Sequence, residues 1–306
     1  MFVSILIVNW NTRERVMECL ASLPPDTPGL SSEVIVVDNG SVDGSADALR
    51  SRSEIKLICN ERNIGYAAAV NQAYRASSGE FVLLLNSDVE LPSGALTSLA
   101  QFLSDHPTAA GVAPLYVNPD GSPQPFHFRF PTFQMTLANG SPFVGRFMPG
   151  SAQKLREYRM LDEDFSRPRP VPQPSASCLL LRRSYLSEDV VFDERYPIFF
   201  NDVQLARSLA KRGLTLWVTP SAHVIHDAHS STRQLGPAGR RQYLASVVQM
   251  LSETEHPAKV WIYRVVLFLQ SVATRLLRRP DALGTADLWS ALSGDPGPLP
   301  SSPNSP

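Results

Sequence analysis

The sequence predicts an α/β chain with a mostly parallel central sheet flanked by helices and a helical extension near its C-terminal end. Two observations carry that expectation. Three short runs rich in Val, Ile, Leu and Phe, at 3–8, 34–37 and 81–85, each break on a polar cluster. Between them lie stretches of helical spacing, the pattern of buried parallel strands joined by right-handed crossovers. The polar clusters then fall at the carboxyl ends of the strands, where open parallel sheets bind ligands. Asp38 and Asp88 both stand at such ends and are expected to share one edge of the sheet.

The elements follow in order. After the first strand, Thr12 can cap a helix over 13–23 that places Val16, Leu20 and Leu23 on one face. A Pro/Gly/Ser loop at 24–32 leads to the second strand, and 55–59 reads as a third. An Ala-rich helix at 65–77 ends before Gly79, and the strand that stops at Asn86 comes next, before a helix opened by Pro92 and Ser93. From 114 to 174 prolines are dense, with a turn at 118–121, and this stretch is expected to cross the active face as a long, partly mobile excursion. Regular patterning returns as a strand at 177–181, a helix at 202–212 closed by Gly213, and strands at 214–219 and 222–225. The expected organisation is one domain over 1–230, with a nucleotide-binding half to about 115 and an acceptor-side half beyond. Helices then fill 231–279, and a Pro/Ser-rich tail at 280–306 is expected to be disordered.

Composition narrows the function classes. The 306 residues carry 28 basic and 29 acidic side chains, a net charge of -1, so no global field draws the chain to nucleic acid. Three widely spaced cysteines argue against a disulfide framework or zinc site and fit a reducing compartment. The start lacks a basic n-region and a small-residue cleavage site, so a secretory signal is not expected. The expected location is cytoplasmic, with the inner face of the membrane as an alternative. That alternative comes from 259–279, which is strongly apolar but interrupted by Arg264, Gln270 and Arg275, too broken for a spanning helix. It reads either as an interfacial amphipathic helix on an anionic leaflet or as a helix packed on the domain or on a second copy.

Several segments together resemble the inverting family 2 glycosyltransferases of the GT-A fold, particularly the rhamnosyltransferase-like branch. They are the first strand with Asn-Trp-Asn at 9–11, Val-Val-Asp-Asn-Gly-Ser-Val-Asp-Gly-Ser at 36–45, Asn-Ile-Gly-Tyr at 63–66, and Leu-Leu-Leu-Asn-Ser-Asp-Val at 83–89. Further on come Asn-Pro-Asp-Gly at 118–121, Phe-Asp-Glu-Arg at 192–195, Phe-Phe-Asn-Asp at 199–202 and His-Val-Ile-His at 223–226. The resemblance implies a nucleoside-diphosphate sugar donor, dTDP-rhamnose first and a UDP-sugar second, and a glycan, lipid-linked or small glycoside acceptor. It also implies a divalent metal, Mn2+ or Mg2+, neutralising the diphosphate leaving group.

Residue by residue, the resemblance makes Asp88 the metal carboxylate of an Asp-X-Asp motif whose first member is Asn86, and His226 an additional ligand. It makes Asp202 the catalytic base, with Asn201 in place of the family's Glu. Donor recognition would fall to Val8, Trp10, Asp38, Asn39, Gly40, Asn63, Gly65, Asn71 and Asn86, with Arg183 near the diphosphate. Plainer readings stand beside these. Asn86 and Asp88 could cap a turn, Asp202 could stabilise a helix start, and Asn71 could bond only to backbone. Arg182 and Arg183 could be a solvated pair, and of His223, His226 and His229 not all can meet one ion if the strand runs on. No Gln-X-X-Arg-Trp motif of processive synthases occurs, which favours single addition. A catalytically inactive homologue serving as a scaffold, a sugar-nucleotide pyrophosphorylase and a nicotinamide dehydrogenase are weaker readings, the last two for want of a Gly-rich loop after the first strand.

Overall fold

The computed structural model describes residues 1–25, 28–140, 145, 148–227, 232–276 and 283–300. The N-terminal half alternates as β1 (Phe2–Asn9), α1 (Arg13–Ser22), β2 (Ser31–Asp38), α2 (Ser45–Arg50), β3 (Ile55–Cys59), α3 (Tyr66–Arg75), β4 (Phe81–Asn86), β5 (Val89–Glu90), α4 (Ala95–Asp105) and β6 (Ala109–Val117). β1 and β4 are buried along nearly their whole length, which is why their sequences are continuous apolar runs rather than alternating ones. Val16, Cys19 and Leu20 form the buried stripe of α1. Thr12 does not cap that helix: its hydroxyl donates to Asn9 Oδ1 at 2.8 Å instead.

The excursion predicted after residue 114 holds more structure than expected. It contains the short strands β7 (Pro123–Gln124) and β8 (His127–Phe128), the helices α5 (Phe133–Gly140) and α6 (Ser151–Tyr158), and β9 (Arg169–Pro170) and β10 (Gln173–Pro174). The chain then re-enters the sheet as β11 (Cys178–Arg182) and continues through α7 (Asn201–Lys211) into β12 (Thr215–His226). The two strands expected at 214–219 and 222–225 are one. A register shift against β6 between Val218 and His223 accommodates Pro220, which cannot donate to the ladder.

The principal sheet runs β3-β2-β1-β4-β11-β6-β12-β5. β3, β2, β1 and β4 are parallel neighbours, and β12 runs parallel to β6, while β11 is inserted antiparallel to both β4 and β6. Register fixes the working edge: Asn9 stands opposite Asp38, and Val8 opposite Asn86. His226 pairs with Val89 of β5, and the Asp227 amide donates to the Asp88 carbonyl at 3.1 Å, so the last strand ends at the turn after β4.

Among the described residues three α-helices follow, α8 (Gly236–Thr254), α9 (Pro257–Leu276) and α10 (Thr285–Ser293). Leu244, Val247, Met250, Tyr263, Leu267 and Leu288 join Tyr196 in a separate core cluster. The tail expected to be disordered therefore contains a packed helix: Arg241 on α8 bonds Asp287 at 2.7 Å and the Pro296 carbonyl at 3.1 Å. Among the described residues no helix is long and apolar enough to cross a membrane.

Candidate active site

A cleft of about 280 Å³ opens at the carboxyl ends of β1 and β4. Val8, Trp10, Asn39, Asn63, Asn86, Asp88, Asp202 and His226 all line it, so the fold brings most of the predicted residues together. The cleft also takes Ser175 to Ser177, in a stretch that the family resemblance associates with the substrate pockets, and Tyr66, Phe126, Ile198 to Phe200 and Leu235, none of which the sequence reading named as a site residue. Tyr66 and Phe199–Phe200 sat inside quoted motifs, a signal that was available; Phe126 and Leu235 carried none.

The floor is a polar network. Asn9 Nδ2 donates to Asp38 Oδ1 at 2.9 Å, and the Ser41 amide donates to Asp38 Oδ2 at 3.1 Å. Asp38 is 1% exposed and lies under the cleft rather than in its wall, so it braces the turn that follows it. Asn39 reaches the wall. Its Nδ2 donates to Asn63 Oδ1 at 3.0 Å, and its Oδ1 accepts from the Ile64 amide at 3.1 Å. Gly40 has φ +77, and a Cβ there would stand 2.6 Å from the Arg62 carbonyl carbon, so only glycine permits this turn to close. Gly65 (φ +93) similarly lets the start of α3 sit against Pro197, and the Ala67 amide donates to the Pro197 carbonyl at 3.1 Å. Trp10 is buried against the cleft with its indole N–H unpartnered among the described residues.

Asp88 and His226 form the second group. His226 Nε2 lies 3.7 Å from Asp88 Oδ1, and Gln124 Oε1 is 2.7 Å from the other ring nitrogen. The Phe126 ring meets the imidazole edge-on at 4.7 Å. Among the described residues no three His, Cys, Asp or Glu side chains cluster as a complete metal cage. One carboxylate and one imidazole at a cleft wall fit a divalent cation that takes its remaining ligands from a substrate's phosphates. Asn86 is held differently: Tyr66 donates to its Oδ1 at 3.0 Å and its Nδ2 donates to Ser177 Oγ at 3.2 Å. Burial, then the nearby Asp202 and Asp88 carboxylates, pushes the Tyr66 phenol up, keeping it a neutral donor.

Asp202 stands across the cleft at the start of α7. Its Oδ1 accepts from the Val203 amide at 2.8 Å and its Oδ2 from Gln173 Nε2 at 3.1 Å. Burial raises its carboxyl pKa, outweighing those two hydrogen bonds, which favour the charged form. Asn201 turns back, donating to the Ile198 carbonyl at 2.9 Å and accepting from the Asp202 amide at 2.8 Å. Phe200, just before, has φ +66, a left-handed conformation unusual for a bulky residue, and its ring packs 5.6 Å from that of Tyr243 on α8.

Two predicted residues lie elsewhere. Asn71 is fully buried on α3, where it donates to the Phe192 carbonyl and accepts from the Val191 and Phe192 amides. It staples α3 to the 191–194 segment and does not line the cleft. Arg183 follows β11, whose Arg182 pairs with Phe81 at the opposite end of β4, about 16 Å from Asn86 at strand rise. Its guanidinium bonds the Gly79 carbonyl and Ser77 Oγ and covers the Tyr74 ring at 4.4 Å. Arg182 is likewise engaged, with the Leu103 carbonyl. Antiparallel insertion of β11 carries both arginines away from the cleft. His223 is exposed on the strand face opposite buried His226, and His229 lies outside the described residues.

Residues 4–189 match the model of glycosyl transferase family 2. The chain belongs to that family. This family 2 chain is 32% identical over 244 residues to the N-acetylglucosaminyl-diphospho-decaprenol L-rhamnosyltransferase of Mycobacterium tuberculosis (strain H37Rv), covering 75% of this chain and 77% of the relative. It is 24% identical over 186 residues to the rhamnosyltransferase WbbL of Escherichia coli K12, 60% of this chain and 66% of that one. Among solved structures, the fold is similar to the Pyrobaculum calidifontis mannosyltransferase in complex with GDP-Man and Mn2+. The TM-score there is 0.54 at 16% identity, over 96% of this chain and 85% of that one. Glucosyl-3-phosphoglycerate synthase of M. tuberculosis, solved with Mn2+, UDP and glucosyl-3-phosphoglycerate, gives 0.52 at 18% identity over 82% and 78%. The fold is GT-A, and the chain is a glycosyltransferase of the rhamnosyltransferase-like branch.

Proposed function

We propose that this enzyme is an inverting, non-processive hexosyltransferase that moves a single sugar, rhamnose first, from a nucleoside-diphosphate donor to a hydroxyl of a glycan or lipid-linked acceptor. The observation that carries the reading is the shared cleft: a half-buried carboxylate, Asp202, lies on the wall formed by α7, and the Asp88–His226 pair lies at the end of β4 and β12. dTDP-rhamnose is the first donor expected and a UDP-sugar the second. Both relatives named above are rhamnosyltransferases by name, which supports rhamnose, and the mycobacterial one is named for N-acetylglucosaminyl-diphospho-decaprenol, which supports a lipid-linked acceptor.

In this reading Asp202 takes the proton of the acceptor hydroxyl while that oxygen bonds to the anomeric carbon from the face opposite the diphosphate. The bond between that carbon and the diphosphate oxygen breaks, and the nucleoside diphosphate leaves with the electron pair. Asp88 and His226 would hold a divalent cation, Mn2+ or Mg2+, whose chemistry is neutralisation of the leaving diphosphate. Trp10, Asn39 and Asn63, on the bed of Gly40 and Asp38, would receive the nucleoside. Free cysteines at 19, 59 and 178 suit the cytoplasmic side.

The test is calorimetric titration of dTDP, UDP, GDP and CMP with and without Mn2+, followed by NMR of the anomeric configuration of the product. Manganese-dependent binding of one nucleotide and an inverted anomer are expected. Binding of none by folded protein would sink the reading in favour of an inactive scaffold.

A further inference from the structure

The helix α9 (Pro257–Leu276) has two apolar faces where a packed helix needs one. Val260, Tyr263, Leu267, Ser271 and Thr274 face inward, and most of these join the cluster formed with α8 and α10. On the opposite side, Trp261, Ile262, Phe268, Leu269, Val272 and Leu276 form a continuous stripe with helical spacing, about 22 Å long at helical rise. Trp261 is 66% exposed, Leu269 59% and Leu276 80%. No charged residue falls within the stripe. Arg264 and Arg275 lie along one border, and the helix contains no acidic residue. The sequence then continues with Arg278 and Arg279. A second exposed indole, Trp289 (73%), sits on α10, which packs against α8 and α9.

We infer that this face of α9 lies in the interface of an anionic lipid surface. Charge complementarity selects lipid over a second copy. Another α9 would bring the same arginines with no carboxylate on the helix to meet them, whereas anionic headgroups attract the positive charge of Arg264 and of Arg275, whose guanidinium the Leu283 carbonyl holds in place at 2.9 and 2.6 Å. Exposed indoles belong at such an interface, where an apolar ring meets a wet edge. The helix lies on the membrane rather than across it, because its other face is already filled by protein. The contact has a path to the cleft: α9 packs on α8, and the Tyr243 ring of α8 meets Phe199 edge-on and Phe200 at a tilt, beside Asp202. The inference draws on the lipid-linked acceptor proposed above for its purpose only, and its test uses no substrate.

The experiment is co-sedimentation of the full chain with vesicles of phosphatidylglycerol and phosphatidylethanolamine, and with vesicles of phosphatidylcholine alone. The comparison variant carries Trp261→Ser, Phe268→Ser and Leu269→Ser; all three side chains are exposed, so the fold does not depend on them. Wild-type protein is expected to sediment with the anionic vesicles and less with the neutral ones, and the variant to lose about tenfold or more in partitioning. Nucleotide binding should be equal in the two proteins. Failure of wild type to sediment with anionic vesicles overturns the inference, as does equal sedimentation of the variant. A wild-type dimer in light scattering that the variant breaks, without vesicle binding, would assign the stripe to a second copy.

Discussion

His226 faces Asp88 at 3.7 Å although 138 positions separate them in the chain, because the last strand of the sheet pairs with the two-residue strand that follows the Asp88 turn. Gln124, at 2.7 Å from the second ring nitrogen, comes from a third segment and fixes the orientation of the imidazole.

This geometry predicts a graded loss of metal affinity. Asp88→Asn and His226→Ala should abolish the manganese dependence of nucleotide binding. Gln124→Leu, which leaves both donors in place, should weaken manganese by ~10- to 100-fold. Titration of Mn2+ against nucleotide-loaded protein separates the cases, and an unaltered affinity in Gln124→Leu would contradict the orienting role.

Asp202→Asn should lower turnover by roughly 10²- to 10⁴-fold, the usual contribution of a positioned base, while donor affinity stays within a factor of a few. Single-turnover transfer and calorimetry on the same preparation give both quantities. A variant with wild-type turnover would exclude Asp202 as the base.

The same carboxyl links pH to rate and stability in opposite senses. Burial raises its folded-state pKa, so the base is lost as pH falls through that raised value and activity should drop on the acid side. Gln173→Leu removes a hydrogen bond to the charged form, so the acid limb of kcat/KM should move to higher pH. For stability the sign reverses. A folded pKa above the unfolded one means that protonation favours the fold, and that ionisation costs stability once pH rises above the unfolded pKa. Asp202→Asn should therefore raise Tm at neutral pH, with the difference shrinking in acid; an equal or lower Tm at neutral pH would contradict the assignment of burial as the cause.

Asn71→Ala should cost roughly 2–4 kcal/mol of stability in urea unfolding, because the amide saturates three backbone groups that would be left buried and unpaired. Nucleotide affinity of the folded fraction should not change. A selective loss of donor binding would return Asn71 to the site.

Gly40→Ala should destabilise by about 2 kcal/mol or more, combining the left-handed φ with a 2.6 Å approach to the Arg62 backbone. Since this turn carries Asn39 into the cleft wall, nucleotide affinity should fall with stability, which calorimetry on the variant would reveal.

Much of this was legible in the chain. The ends of β1, β2 and β4 were marked by apolar runs breaking on Asn-Trp-Asn, Asp-Asn-Gly and Asn-Ser-Asp, so the edge of the sheet that carries the cleft could be placed from the sequence alone. Asp202 and His226 were legible only through whole motifs, since a single Asp or His has no local signature. Arg183 misled because adjacency in sequence to a strand says nothing about which end of the sheet that strand enters from; β11 runs antiparallel, and the arginine arrives at the wrong edge. Asn71 misled because a buried amide that staples backbone has the same spelling as one that binds ligand. Leu235 and Phe126 were invisible, being ordinary apolar residues brought in by long-range packing. The helix at 285–293 escaped notice because the prolines around it dominated the composition.

The placement of β11 bears on how this protein is born. Its ladder partner β4 leaves the ribosome about ninety residues earlier, so one flank of β4 stays unpaired until Cys178–Arg182 has been made. During that interval a strand apolar from Phe81 to Leu85 offers its open hydrogen-bonding edge to any neighbour, a template for misassembly. Slow synthesis through the proline-dense middle would lengthen the exposure, and a fragment ending near residue 115 would retain it permanently. Yield in a heterologous host should depend on translation speed and chaperone supply across that window more than on the thermodynamics of the finished fold.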